Sequence, residues 1–454
     1  MKKINLFYIN LIILFLFISN YGIGFTWKIP WLLMSFFFIY IIFKSLILLK
    51  KGFFYFDILL FSVSFFIFLV NEPLQYIFGG FDFPGILYDY KDNIVPNKTG
   101  IIINLFSTLT FLSMSAIKNE VRYSQEDMQS LRSITIKPYI TVLFLSFVFI
   151  PFVFFGSSGI IENIIQNTLG RAQGLSFTDT SLGTKTPILS LFSTLLPVSV
   201  FILFLNFIKS SRKVFTGALF FGAFILYAFT GGRTGIIIIF TSLSIYLLLS
   251  SNTGKIPIVK LAIFGLFIYV LISIQVSSRY VGEVNMDKGG LTGSNLNREI
   301  AYIADEFGEK NKFTNASNLL EQIILPIPQT LLLFVTNPIP RLIWKNKPYD
   351  KSFAIYNEMR TGNNGLSGTS NITPSIPGRY YLKYGYIGVV EIALLLGLLW
   401  ALLCKKIINK HDPNLSIVYI IGLALFFVSI RDFTAGRFYP LLGAYLFYYL
   451  NKKK

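Results

Sequence analysis

The 454-residue sequence is poor in several kinds of chemistry-bearing residue. Its single cysteine, Cys404, excludes an internal disulfide. Its single histidine, His411, leaves too few soft ligands for a zinc centre. No Walker-type phosphate loop, dinucleotide fingerprint or nucleophile elbow occurs anywhere, so the chain has no motif for consuming nucleotide. No internal repeat is evident, which weighs against a transporter built from two related halves. Charged residues make up only 14% of the chain, which is too few for an ordinary soluble domain.

In their place stand long apolar runs, with 54% hydrophobic and 17% aromatic residues. Windows of about 17 to 22 residues, the length that crosses ~30 Å of hydrocarbon, give twelve candidate spans. They lie near 4–20, 29–49, 53–70, 99–117, 138–156, 187–208, 214–230, 234–250, 257–277, 384–404, 415–430 and 437–450. The expectation is an all-α polytopic membrane protein with about twelve transmembrane helices. Its first nine spans would occupy 1–277, a large extracytoplasmic loop 278–383, and the last three spans 384–454. The first span follows "MKK" like a signal peptide, but "FISNYGIGF" lacks a small-x-small cleavage pattern, so it is expected to be retained.

Basic residues in the short connections set the orientation. Lys2, Lys3, Lys50, Lys51, the 118–137 stretch, "KSSRK" at 209–213, Lys255, "KKIINK" at 405–410 and the terminal "NKKK" all fall on one side. That side is expected to be cytoplasmic, with both termini on it. The net charge of +18 is then largely an orientation signal and an attraction to anionic lipid head groups, not a sign of nucleic-acid binding.

Arginine breaks the pattern. Of twelve arginines, only Arg122, Arg132 and Arg212 fall on the cytoplasmic side; Arg171, Arg233, Arg279, Arg298, Arg341, Arg360, Arg379, Arg431 and Arg437 fall on the other. Insertion disfavours any cation there. Guanidinium differs from ammonium in its planar fork, which holds phosphate in a bidentate way and tolerates partial desolvation. Arg233 sits in a short turn, Arg279 directly follows the ninth span, and Arg431 and Arg437 bracket the turn "RDFTAGR", so all four are expected near one depth. There they would converge on an anionic, phosphate-bearing ligand. The plainer alternative is that each arginine snorkels or pairs locally, as Arg431 would with Asp432.

A connection as long as 278–383 is usually functional. Its first part reads as a loop followed by a helix capped by Asn297, with Glu299 and Glu306 on one face. Next comes an apolar stretch broken by Pro326, Pro328, Pro338 and Pro340, read as interfacial, with Trp344 at the head groups. "RTGNNGLSGTSNITPSIPGRYY" then reads as a mobile, sugar-compatible loop. A second outer loop, 157–185, carries Arg171 and Asp179.

The turn "GGRTG" before a span, the segment "PIPRLIWKNKP", and "YYLKYGYIGVVEIALLLG" leading into the next span resemble O-antigen polymerases of the Wzy type. More distantly the chain is similar to the O-antigen ligases. The resemblance implies a GT-C-like glycosyltransferase of the bacterial inner membrane, with no cofactor. It would act outside the cytoplasm on undecaprenyl-pyrophosphate-linked oligosaccharide, with a chain-length regulator as a further partner. Arg233 matches the arginine of the family's small-residue turn, and Arg279 the one that opens the large loop, with Gly290 following after ten intervening residues. Arg341, Arg431 and Arg437 join Arg233 as pyrophosphate-binding candidates, and Arg279 and Arg379 are candidates for the reaction itself. The ligases carry an outer histidine near "PGRYYLKYGYIG", where this chain has Arg379; its absence argues against a ligase and leaves the base open. A side-chain base would be an outer carboxylate, Glu299 first, then Asp305 or Glu306, and the alternative is a late deprotonation helped mainly by the good leaving group. A lipid-linked oligosaccharide flippase stays open as a reading from another class, although such a path expects charges lining the spans, which here are nearly charge-free, with Lys44 and Asp57 among the few.

Overall fold

The computed structural model describes residues 3–23, 27–50, 55–70, 73, 77, 94–117, 131, 134–154, 187–229, 233–250, 300, 375–407, 412–431 and 440–452. Among them there is no strand. Eleven α-helices follow in order: α1 Lys3–Ile23, α2 Lys28–Lys50, α3 Phe56–Phe65, α4 Ile94–Ser115, α5 Pro138–Phe154, α6 Pro187–Lys209, α7 Lys213–Phe229, α8 Arg233–Ser250, α9 Ile376–Lys406, α10 Pro413–Ser429 and α11 Pro440–Asn451. α3 continues through a π-helical turn, Phe66–Val70. Each helix overlies one of the apolar runs read from the sequence; the run at 257–277 and most of the segment 278–383 lie outside the described residues.

Three stretches, Lys3–Tyr21, Lys28–Leu49 and Tyr384–Lys406, have the length and apolarity to cross a membrane. At about 1.5 Å per residue they reach roughly 29 to 35 Å, which matches the hydrocarbon core. Among the described residues, six further apolar helical stretches, including Phe56–Val70, Leu195–Lys209 and Pro413–Ser429, are 10 to 17 residues long. α2 is apolar around its whole circumference: Trp31, Met34, Phe38 and Ile41 are buried, while Phe36, Tyr40, Phe43 and Ile47 are exposed on the opposite face. A helix apolar on both faces is matched to a core on one side and lipid on the other.

α4 is the exception and the centre. It packs along both α1 and α9, and it buries Asn97, Thr99, Asn104, Ser107, Thr108, Thr110 and Ser113. These groups find partners across and within helices. Asn10 Nδ2 donates to Ser107 Oγ, Asn104 Nδ2 donates to Asn10 Oδ1 at 3.0 Å, and Thr108 Oγ1 donates to Asn104 Oδ1 at 3.1 Å. Interhelical bonds of this kind contribute about 0.6 kcal/mol each in lipid, up to ~1.7. They also fix the register of α1 on α4, because an unpaired amide in an apolar interior is costly.

Close approach is the other device. On α9, a Cβ at Gly397 would stand 1.9 Å from Ser113 Oγ and 2.5 Å from the Thr110 backbone oxygen of α4. Gly397→Ala is therefore expected to lower stability by about 1 to 3 kcal/mol through overpacking. The thermal midpoint of the detergent-purified protein measures it, and an unchanged midpoint would mean that the two helices do not cross there.

Hydrogen bonds sort the helix termini into two ends. At one end, Lys3 pairs with Asp57 and donates to the carbonyls of Met114 and Ile117; Lys3 and Asp57 are electrostatic neighbours of buried Cys404. At the same end Asn451 Nδ2 donates to Thr135 O and Asn414 Oδ1, Lys137 Nζ to Leu450 O, and Lys209 Nζ to Leu131 O. The starts of α1, α3, α5 and α10 thus meet the ends of α4, α6, α9 and α11. At the other end, Ile376 N donates to Ile430 O at 3.1 Å and Ser64 Oγ donates to Phe427 O at 2.6 Å. The described helices accordingly run alternately up and down, and the lysines named above cluster at one end.

Candidate functional site

The site begins with two helix termini that complete each other. The start of α9 leaves amide donors without intrahelical partners, and the end of α10 leaves carbonyls in the same condition. Ile376 N and Ile430 O satisfy one of each. Ser375 caps α9, its Oγ accepting from Gly378 N at 3.4 Å, and its carbonyl accepts from Arg379 N at 3.0 Å. On the facing element, Arg431 follows Ile430, the C-cap of α10, and its amide donates to Val428 O at 3.0 Å.

Arg379 and Arg431 therefore flank one hydrogen-bonded junction. Arg379 lies three residues, about 4.5 Å of helical rise, beyond Ile376, and Arg431 is the next residue after Ile430. Both side chains are half-buried, and the Arg431 Nε is shielded from solvent. The helix dipole treats them differently. Arg431 at a C-terminus is favoured; Arg379, in the first turn of α9, is opposed by about 0.3 to 1 kcal/mol. That turn contains no acidic residue to offset it. A cation held where the backbone already presents positive charge makes a pocket of potential suited to an anion.

Arg233 opens α8 at the same end of the bundle. Gly235, two residues on, lies close against α7: a Cβ there would stand 1.4 Å from the Tyr227 hydroxyl, so a larger residue requires that side chain to move. The backbone of Arg233 is described and its side chain is not. Arg279, Arg341, Arg437, Glu299, Asp305 and Glu306 lie outside the described residues.

Beside the arginines stands a tyrosine pair that the sequence reading did not single out. Tyr381 and Tyr386 share a hydrogen bond, their rings meet edge to face with centroids 5.0 Å apart, and Tyr21 at the end of α1 is an electrostatic neighbour. Burial, reinforced by Tyr386, pushes the Tyr381 hydroxyl well above the ordinary tyrosine range. It stays protonated and able to donate at any physiological pH. Its signal was present in "GRYYLKYGY", which is a dense aromatic run at a span entrance.

The start of α9 also differs from expectation. The apolar run begins at 384, whereas the helix begins at Ile376 and kinks at Gly385, with φ 62° and ψ −147°. The serine cap followed by Pro377 in the first turn is a local start signal that hydropathy alone overlooks. Arg379 is consequently mounted on a helix and not on a loop.

Among the described residues no group of three His, Cys, Asp or Glu side chains forms a metal-binding cluster. Compared with known proteins, the chain matches no family model, no curated protein and no solved structure.

Proposed function

We propose that the chain is a multi-pass GT-C-like glycosyltransferase of the bacterial inner membrane that polymerises undecaprenyl-pyrophosphate-linked oligosaccharide units. About twelve spans would place both termini in the cytoplasm and the arginine end outside it. The observation that carries this reading is the Arg379–Arg431 junction, at the end of the bundle opposite the clustered lysines. Forked cations at head-group depth suit a lipid-borne pyrophosphate better than they suit a neutral sugar or a lipid tail.

In the reaction, the bond between the anomeric carbon of the growing glycan and its pyrophosphate oxygen breaks. A bond forms from that carbon to a hydroxyl oxygen of a newly arrived lipid-linked unit. The hydroxyl proton passes to an outer carboxylate, with Glu299 first and Asp305 or Glu306 next, and the pyrophosphate leaves with the bonding electron pair. Arg379 and Arg431, with Arg233, Arg279, Arg341 and Arg437 as further members of the set, stabilise that developing charge, each charge-assisted contact supplying about 1.5 to 3 kcal/mol. The activated donor accounts for the missing nucleotide motifs.

The test is the surface-glycan profile of a strain lacking the chain, with lipid-linked intermediates extracted in parallel. Glycans capped at one repeat unit are expected, because export and attachment still operate. Full-length polymer stranded on its lipid carrier would mean a ligase instead. Single units trapped on the cytoplasmic face would mean a flippase, and an unchanged profile would remove all three readings.

A further inference from the structure

We propose that Ser375 and Gly385 are positioning residues, two left-handed joints that set the segment Ile376–Tyr384 and hold Arg379 in place against Arg431. The proposal rests on the pyrophosphate reading above and adds to it how the arginine pair is fixed.

These are the two positive-φ residues among those described, and they bracket Arg379 on both sides. Ser375 has φ 34° and ψ 173°; Gly385 has φ 62° and ψ −147°. Both lie in a region that is nearly reserved for glycine, and a residue with a side chain persists there only when its surroundings leave it no alternative. Ser375 has such surroundings. It is 2% exposed, its hydroxyl caps Gly378, and the next amide is bonded to Ile430 O.

Gly385 is a different case. No described atom lies within 4 Å of where its Cβ would stand. Space does not require glycine there; the backbone angle does. Below the kink, the direction of α9 is dictated by its packing on α4, where Ser113 Oγ donates to Ala393 O at 3.4 Å and Gly397 closes the crossing. Above the kink, the direction is dictated by the junction with α10. An unbroken helix satisfies one anchor or the other, and swings Arg379 away from Arg431 if it follows the lower one. Gly385 reconciles them at the one angle that keeps both.

The test uses the full chain in lipid nanodiscs, with farnesyl pyrophosphate as the probe and its dissociation constant as the readout. Arg379→Ala is expected to weaken binding about 10- to 100-fold. Gly385→Ala, which meets no described atom but disfavours the angle, is expected to weaken it about tenfold or more. The double variant should bind no more weakly than Arg379→Ala alone, because misplacing a side chain that is already gone costs nothing further. Should Gly385→Ala fail to accumulate, Ser375→Val asks the same question at the other joint, since a β-branched residue is the least tolerant of positive φ.

Independent, multiplying losses in the double variant, or wild-type binding by Gly385→Ala, overturns the positioning role and leaves the pyrophosphate reading standing. Absence of binding by the wild type, or Arg379→Ala binding as well as the wild type, removes the reading and the positioning role together.

Discussion

Arg379→Lys and Arg431→Lys are each expected to reduce glycan polymerisation about 10- to 100-fold at unchanged protein level. Lysine keeps the charge, the approximate length and the charge balance between the two ends of the bundle, so folding has little reason to change. What it loses is the fork. A guanidinium places two parallel donors on two phosphate oxygens and gives up little hydration on doing so; an ammonium offers a point charge that binds water more strongly. The loss of one bidentate contact of about 1.5 to 3 kcal/mol converts to roughly that range of rate. The same outcome is expected for Arg233→Lys, because Arg233 opens α8 at the same end. The chain-length distribution of surface glycan from each variant, normalised to protein in the membrane, checks it. Wild-type polymer length in all three lysine variants would take these arginines out of the site.

The second large effect lies at the opposite end. Asp57→Asn is expected to destabilise the protein by about 3 to 5 kcal/mol, the usual cost of leaving one charge of a buried pair uncompensated. Asp57 is 1% exposed and Lys3 9%, so neither has water to fall back on. Lys3 Nζ holds α1, α3 and the end of α4 in one knot through Asp57, Met114 O and Ile117 O. The double change Lys3→Met with Asp57→Leu is expected to recover most of the loss, since apolar replacement of a buried pair is often neutral or better. Thermal midpoints of the detergent-purified variants measure both, and a full-strength single Asn variant would mean that the pair contributes little.

Much of the helical layout was legible, and the reason is physical. A chain that buries nearly everything in apolar surroundings must satisfy its backbone within each segment, so long apolar runs become helices with few alternatives. The misses have a common cause, which is that hydropathy is blind to local backbone signals. α4 begins at Ile94 and not near 99, because Asn97, Lys98 and Thr99 lowered the apolar signal where the chain is already helical. α9 begins at Ile376 because Ser375 and Pro377 start a helix whatever follows them.

The candidate site was half legible. That most arginines fall in connections other than the lysine-rich ones is an expectation that can be counted from the sequence. That Arg379 and Arg431 share a junction cannot be read there, since it depends on one hydrogen bond between residues 376 and 430. The Lys3–Asp57 pair shows the same limit: Asp57 stood out as a charge inside an apolar run, but its partner is 54 residues away in sequence and adjacent only after folding. The carboxylates Glu299 and Asp305, which the reading makes the base, belong to the segment outside the described residues.

The most direct measurement is to reconstitute the purified chain in liposomes with a polyprenyl-pyrophosphate-linked oligosaccharide repeat unit as the only glycan substrate. A ladder of products spaced by one repeat unit, with free polyprenyl pyrophosphate released once per linkage and lost on Arg379→Lys, is the predicted result. Substrate that is unchanged, or that crosses the bilayer without any new glycosidic bond, would contradict the account.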